Sequence, residues 1–165
     1  MTIDEILDDL LVREGPGVPP TYQSKNDAGG RTSWGISERA HPEAWQTGPP
    51  TYLHARALLE QQYAAPFRIL NTVGLDDRLR AALIDDAVMS GVDAAIKRWQ
   101  FVLGVAMDGV IGPLTLRRAE ILNQGDLLKR YVVERAIRIT RLVQRRPADL
   151  TNLTGWIVRI LSFLP

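Results

Sequence analysis

Cysteine is absent from this 165-residue chain. Neither a disulfide nor a thiolate metal site therefore holds the fold, and a reducing compartment is the simplest place of synthesis. Histidine is nearly absent too. His41 and His54 are the only two, and neither sits at metal-ligand spacing, so no metal and no organic cofactor is expected. The formal net charge is only +1, which supplies no global argument for a nucleic-acid partner. No run approaches the roughly 18 apolar residues a membrane span needs. The opening "MTIDEILDDLL" lacks both a basic n-region and an unbroken apolar core, so it does not read as a signal peptide. No serine lies in a nucleophile-elbow pattern, and there is no phosphate loop.

What is present is a 45% hydrophobic, 24% charged composition, that of one soluble globular domain with a real core. Helix signals dominate. Thr2 and Glu5 form a capping-box pattern ahead of Ile3, Ile6, Leu7, Leu10 and Leu11 at helical spacing. Residues 15–50 are rich in Gly, Pro, Ser and Thr, too long for an idle connection, and read as a functional loop with a short hairpin. Thr51 caps a helix that Pro66 should stop at about residue 65. Residues 76–90 are apolar on more than one face, as in a buried central helix, and another helix spans 92–103. "MDGVIGPLT" supplies an Asp-Gly turn and a helix start with Pro113 at its first position. A long helix covers 126–146 up to Pro147, and a short one follows Thr154. The expected fold is mainly α, with a small irregular or β-containing N-terminal lobe and a helical C-terminal lobe. The closing "GWIVRILSFLP" reads as a helix completing the core, with membrane contact as the other reading.

The most irregular stretch, "REGPGVPPTYQSKNDAGGRTSWGIS" at residues 13–37, holds the chemistry. At about 100° per residue, positions 3, 7, 10 and 14 share one side of the first helix. Glu14 thus continues the apolar stripe, whereas Asp4, Asp8 and Asp9 point elsewhere. A carboxylate on the buried face is partly desolvated, which raises its pKa and suits it to act as a general acid. A helix-ending glutamate that turns to solvent or pairs with an arginine fits the same phase. Asp27, before Gly29 and Gly30, is either ordinary turn chemistry or a second carboxylate facing the first across a cleft. Glycosidases use such pairs, one group protonating the leaving oxygen while the other activates water or attacks the sugar. The Thr32 hydroxyl is able to help position that water. Gly30 and Gly35 let backbone approach a substrate closely, and Trp34 either stacks on a sugar ring or plugs the core.

Elsewhere, Asp85 and Asp86 interrupt apolar sequence, either as satisfied buried groups or as cleft-lining acids. The basic helix face at residues 129–146 is either simply solvated or attracted to an anionic cell-wall polymer, a membrane or nucleic acid.

Four blocks, in order along the chain, carry a resemblance. "LLVREG" followed by "DAGGRTSWGIS" resembles the N-terminal signature of the glycoside hydrolase family 108 muramidases of phage endolysins and related bacterial proteins. "LIDDAVMSG" is similar to that family's Asp-x-Ala-Val-Asn-Ser-Gly segment. "WQFVLGVAMDGVIGPLTL" and "GWIVR" resemble its helical peptidoglycan-binding segment. The resemblance implies one lysozyme-like domain, with residues 1–90 carrying the muramidase signature and 91–165 the peptidoglycan-binding part. It implies cleavage of the β-1,4 bond between N-acetylmuramic acid and N-acetylglucosamine. Glu14 would be the catalytic acid, Asp27 and Thr32 its supporting residues, and Gly30, Trp34, Gly35 and Asp85 substrate-binding residues.

The chain departs from that signature at Pro16, where the family has a second glycine, in a longer segment between Glu14 and Asp27, and at Met89 in place of asparagine. A lytic transglycosylase acting on the same bond, and a non-catalytic peptidoglycan-binding protein, are the alternatives. The expected partner is bacterial peptidoglycan, without nucleic acid and without stable membrane insertion. The expected state is a monomer, held in the host cytoplasm until a separate holin or secretion system releases it to the cell wall.

Overall fold

A computed structural model describes residues 3–14 and 31–165. The chain is mainly α and divides into two compact units, residues 1–65 and 66–165.

In the first unit, helix α1 (Ile3–Glu14) opens with Asp4 and Glu5, whose charges suit the positive end of the helix dipole. Its apolar stripe is buried as the spacing predicts: Ile6, Leu7, Leu10 and Leu11 are sealed from solvent. The expected capping residue, Thr2, lies outside the described residues. Strands β1 (Thr32–Ser33) and β2 (Ile36–Ser37) pair antiparallel, Thr32 opposite Ser37 and Ser33 opposite Ile36. The hairpin is anchored on both flanks. The Ser33 hydroxyl donates to the Pro50 carbonyl (2.9 Å), and the Trp45 indole N–H donates to the Ile36 carbonyl (3.3 Å).

Helix α2 (Tyr52–Leu59) is capped as expected by Thr51, whose hydroxyl accepts from the His54 backbone N–H at 3.3 Å. Its end differs from the expectation. The helix widens at Glu60 into a π turn (Glu60–Ala64), in which the Ala65 N–H reaches back to the Glu60 carbonyl, and then tightens into a 3-10 segment (Ala65–Val73). Pro66 has no N–H and its ring crowds the preceding turn, so the winding changes there although the chain keeps turning.

In the second unit, α3 (Asp77–Ser90) is capped by Asp76, whose carboxylate accepts from the N–H groups of Arg78 (2.9 Å) and Leu79 (3.2 Å). This is the buried central helix the composition predicts, with Leu79, Ala82, Leu83, Ile84 and Ala87 almost wholly enclosed. Helix α4 (Val92–Leu103) ends at Gly104 in the left-handed conformation that stops helices. Helix α5 (Pro113–Ile121) starts on its proline, and α6 (Gln124–Arg145) is capped by Asn123. Packing of α3, α4 and α6 centres on Trp99 and Tyr131, whose rings meet edge to face at 5.8 Å.

The last helix, α7, spans Leu150–Leu161 and so begins before Thr154. A 3-10 turn at Pro147–Asp149 leads straight into it, and Thr154 and Gly155 are interior positions. One glycine costs a helix about 1 kcal/mol, too little to interrupt an element whose Ile160 is fully buried and which packs on α6. Among the described residues no helix is long and apolar enough to cross a membrane.

Candidate active site

The tip of the β1–β2 hairpin is two residues long, Trp34 and Gly35, and both have positive φ, 51° and 77°. That pair of angles marks a type I′ turn, whose twist matches the twist of the strands it joins. Glycine takes the second position freely. A tryptophan at the first is unusual, because left-handed backbone costs a residue with a side chain about 1–2 kcal/mol.

The surroundings hold it there. The half-buried Trp34 meets Tyr52 edge to face, with ring centroids 5.3 Å apart and planes at 77°. The Tyr52 hydroxyl donates to Asp8 at 2.5 Å, and the same carboxylate oxygen accepts from Arg56 Nε at 2.9 Å. Arg56 also reaches Asp4 at 2.7 Å. The hairpin tip is thereby linked through Tyr52 to α1, the helix that ends at Glu14. Donation from Tyr52, and then from Arg56, lowers the Asp8 pKa from its ordinary range. The Tyr52 phenol is raised, chiefly because it donates to Asp8. At the base of the hairpin Arg31 forks onto Glu38 (2.8 and 2.5 Å) and lies 5.0 Å from the Trp45 ring centre.

Among the residues expected at the site, Thr32, Trp34 and Gly35 fall within this one hairpin, Thr32 half-buried and Gly35 exposed. Glu14 is the last residue of α1, seven positions after the fully buried Leu7. Its side chain lies outside the described residues, as do Asp27 and Gly30. Asp8, Tyr52 and Arg56 were not singled out by the sequence, although a signal was there. Asp4 and Asp8 are four apart on one helix, Tyr52 and Arg56 four apart on another, and two such pairs of complementary chemistry are able to meet face to face.

Asp85 belongs to the second unit and is fully buried. One of its oxygens accepts from Arg135 (2.5 Å) and the other from Arg159 (2.8 Å). The neighbouring Asp86 pairs with Arg98 and accepts from the Tyr131 hydroxyl (2.6 Å) and the Ser90 hydroxyl (3.1 Å). Burial, and then the Asp86 charge, push the Tyr131 phenol well above its usual range. Arg135 closes the network by donating to the Ala82 carbonyl (3.2 Å) and lying 5.6 Å from the Phe163 ring centre. In this setting the Asp85 carboxylate ties α3 to α6 and α7, and no face of it is open to a sugar. Both aspartate carboxylates are thus buried and satisfied, one of the two readings the sequence allowed.

Among the described residues no group of three histidine or carboxylate side chains is arranged to hold a metal ion. The chemistry on view is an aromatic ring at a hairpin tip braced by Tyr52, a threonine hydroxyl at the hairpin's edge and a helix that ends in a glutamate.

Comparison with known proteins places these features. No curated protein matches the chain. A solved structure, that of Brucella abortus SagA, superposes with a TM-score of 0.70 at 22% identity, over 96% of this chain and 93% of that one, and shows the fold to be shared. Residues 94–161 match a family model described as "Predicted Peptidoglycan domain". Residues 7–91, more than half the chain and including the Trp34 hairpin, match the model of glycosyl hydrolase 108. The chain belongs to the glycosyl hydrolase 108 family and is a peptidoglycan hydrolase.

Proposed function

We propose that the bond cut is the β-1,4 linkage between N-acetylmuramic acid and N-acetylglucosamine, with Glu14 as the general acid. The observation that carries this reading is the strained hairpin tip, tied by Tyr52 and Asp8 to the helix that ends at Glu14. Left-handed backbone at a bulky aromatic residue is retained where function needs the side chain held in one place. A half-exposed indole at a hairpin tip is suited to stack on a pyranose ring.

In the proposed reaction protonated Glu14 donates its proton to the glycosidic oxygen as the bond from that oxygen to the anomeric carbon breaks. Positive charge then spreads over the anomeric carbon and ring oxygen. Asp27 stabilises that charge or, with the Thr32 hydroxyl, orients the water that attacks from the opposite face. Water supplies the new hydroxyl and returns a proton to the solvent through the carboxylate. Attack by water on the opposite face inverts the anomeric configuration.

Mass spectrometry of soluble products from purified sacculi tests this. Wild-type protein should release muropeptides with N-acetylmuramic acid at the reducing end, and Glu14→Gln should release none while keeping the helical circular dichroism of the wild type. Release by Glu14→Gln would remove Glu14 from the reaction. Products ending in a 1,6-anhydro sugar would replace hydrolysis by transglycosylation, and N-acetylglucosamine at the reducing end would move the cut to the other glycosidic bond.

A further inference from the structure

The second unit carries a groove of about 440 Å³ between α4, the loop after it and α6, with Arg98 of the buried aspartate–arginine network in its lining. Lys97 and Phe101, one turn apart on α4, form one wall, and Met107 from the loop forms one end. Glu134, Arg138 and Arg141 line the other wall at the four- and seven-residue spacing of one helix face. Phe101 and Met107 are 54% and 52% exposed, so a large apolar surface lies open beside the charges. Lys97 is held by Asp93 at 2.9 Å. Glu134, Arg138 and Arg141 have no ion-pair partner among the described residues. The groove therefore offers two uncommitted guanidinium groups, one uncommitted carboxylate and two exposed apolar side chains. These residues all fall in the segment matched by the peptidoglycan-domain model.

We propose that this groove binds the peptide stem of peptidoglycan. The stem alternates alanine methyl groups with free carboxylates and carries one ammonium on its diamino acid. Two arginines present forked donors to two carboxylates, Glu134 faces the ammonium, and Phe101 with Met107 covers the methyl groups. An uncharged sugar polymer uses none of these charges, and a uniformly anionic polymer meets repulsion at Glu134. Bound here, the stem holds the wall against the protein at a site separate from the glycosidic bond, and the inference is independent of which bond is cut.

The test is isothermal titration of the full chain with the free tetrapeptide L-alanyl-γ-D-glutamyl-diaminopimelyl-D-alanine. The peptide is not a glycosidic substrate, so its binding and the assignment of Glu14 succeed or fail separately. Wild type should bind it, and Arg138→Glu with Arg141→Glu should weaken binding about tenfold or more. Phe101→Ser, which leaves the charges in place at an exposed position, should weaken it severalfold and gives a second reading should charge reversal disturb the fold. The proposal is overturned if wild type shows no binding at millimolar peptide or if the variants bind as wild type does. It is also overturned if uncharged N-acetylglucosamine oligosaccharides or polyphosphate bind more tightly than the peptide.

Discussion

Asp8 shows how one side chain joins elements far apart in sequence. It accepts from Tyr52 and from Arg56, and through Tyr52 it supports the ring that braces Trp34. Its folded-state pKa is depressed, so its contribution to stability is present above the unfolded aspartate pKa of about 4 and is lost as pH falls through the lower folded value. Tyr52→Phe removes the first of its two donors. The expected cost is about 1 kcal/mol at pH 6, because a half-exposed charge-assisted hydrogen bond is lost. The deficit should shrink in urea titrations repeated at progressively lower pH, as Asp8 becomes protonated in both proteins. A deficit independent of pH would separate Tyr52 from the Asp8 charge. The burial of Leu7 and Leu10 was legible from spacing alone. The Asp8–Tyr52 bond was not, since it spans forty-four positions and depends on how two helices lie together.

Among the elements, the loop before α5 follows its sequence most directly. Asp108 accepts from the Val110 N–H (2.9 Å) and from the Gln100 amide (2.6 Å), which lower its pKa in that order. Gly109 sits at φ 79°, and a β-carbon there would lie 2.5 Å from Asp93 Oδ1. Asp93 is able to swing aside at the expense of its Lys97 pair, so the lasting penalty of Gly109→Ala is the backbone strain, about 1–2 kcal/mol. That penalty should persist in an Asp93→Ala background, measured by thermal unfolding; its disappearance there would assign it to the side-chain clash. Asp-Gly and Gly-Pro were each readable because their conformational demands are local. The start of α7 was not: Thr154 and Gly155 look like a break, but packing on α6 outweighs a single glycine.

At the level of the whole molecule, the second unit is organised around charges that lie scattered along its sequence. Asp85, Asp86, Arg98, Arg135 and Arg159 come from four helices and meet in the interior. Removing one member leaves its partners buried and short of a counter-charge. Arg135→Met should therefore cost about 3–5 kcal/mol, read as a lower urea midpoint of the helical circular dichroism. A cost near zero would mean that Arg98 and Arg159 alone satisfy both aspartates. By itself the sequence determined the mainly α class, most helix limits, the buried face of α1 and the four motif blocks that mark the family, because periodicity, caps and turn residues act over a few positions. Only the tertiary structure decided that Asp85 is an internal anchor, that Tyr52 and Asp8 brace Trp34, and that Phe101 and Arg138 share a groove. Those outcomes depend on which distant side chains share a desolvated space, and burial then sets the worth of each charge.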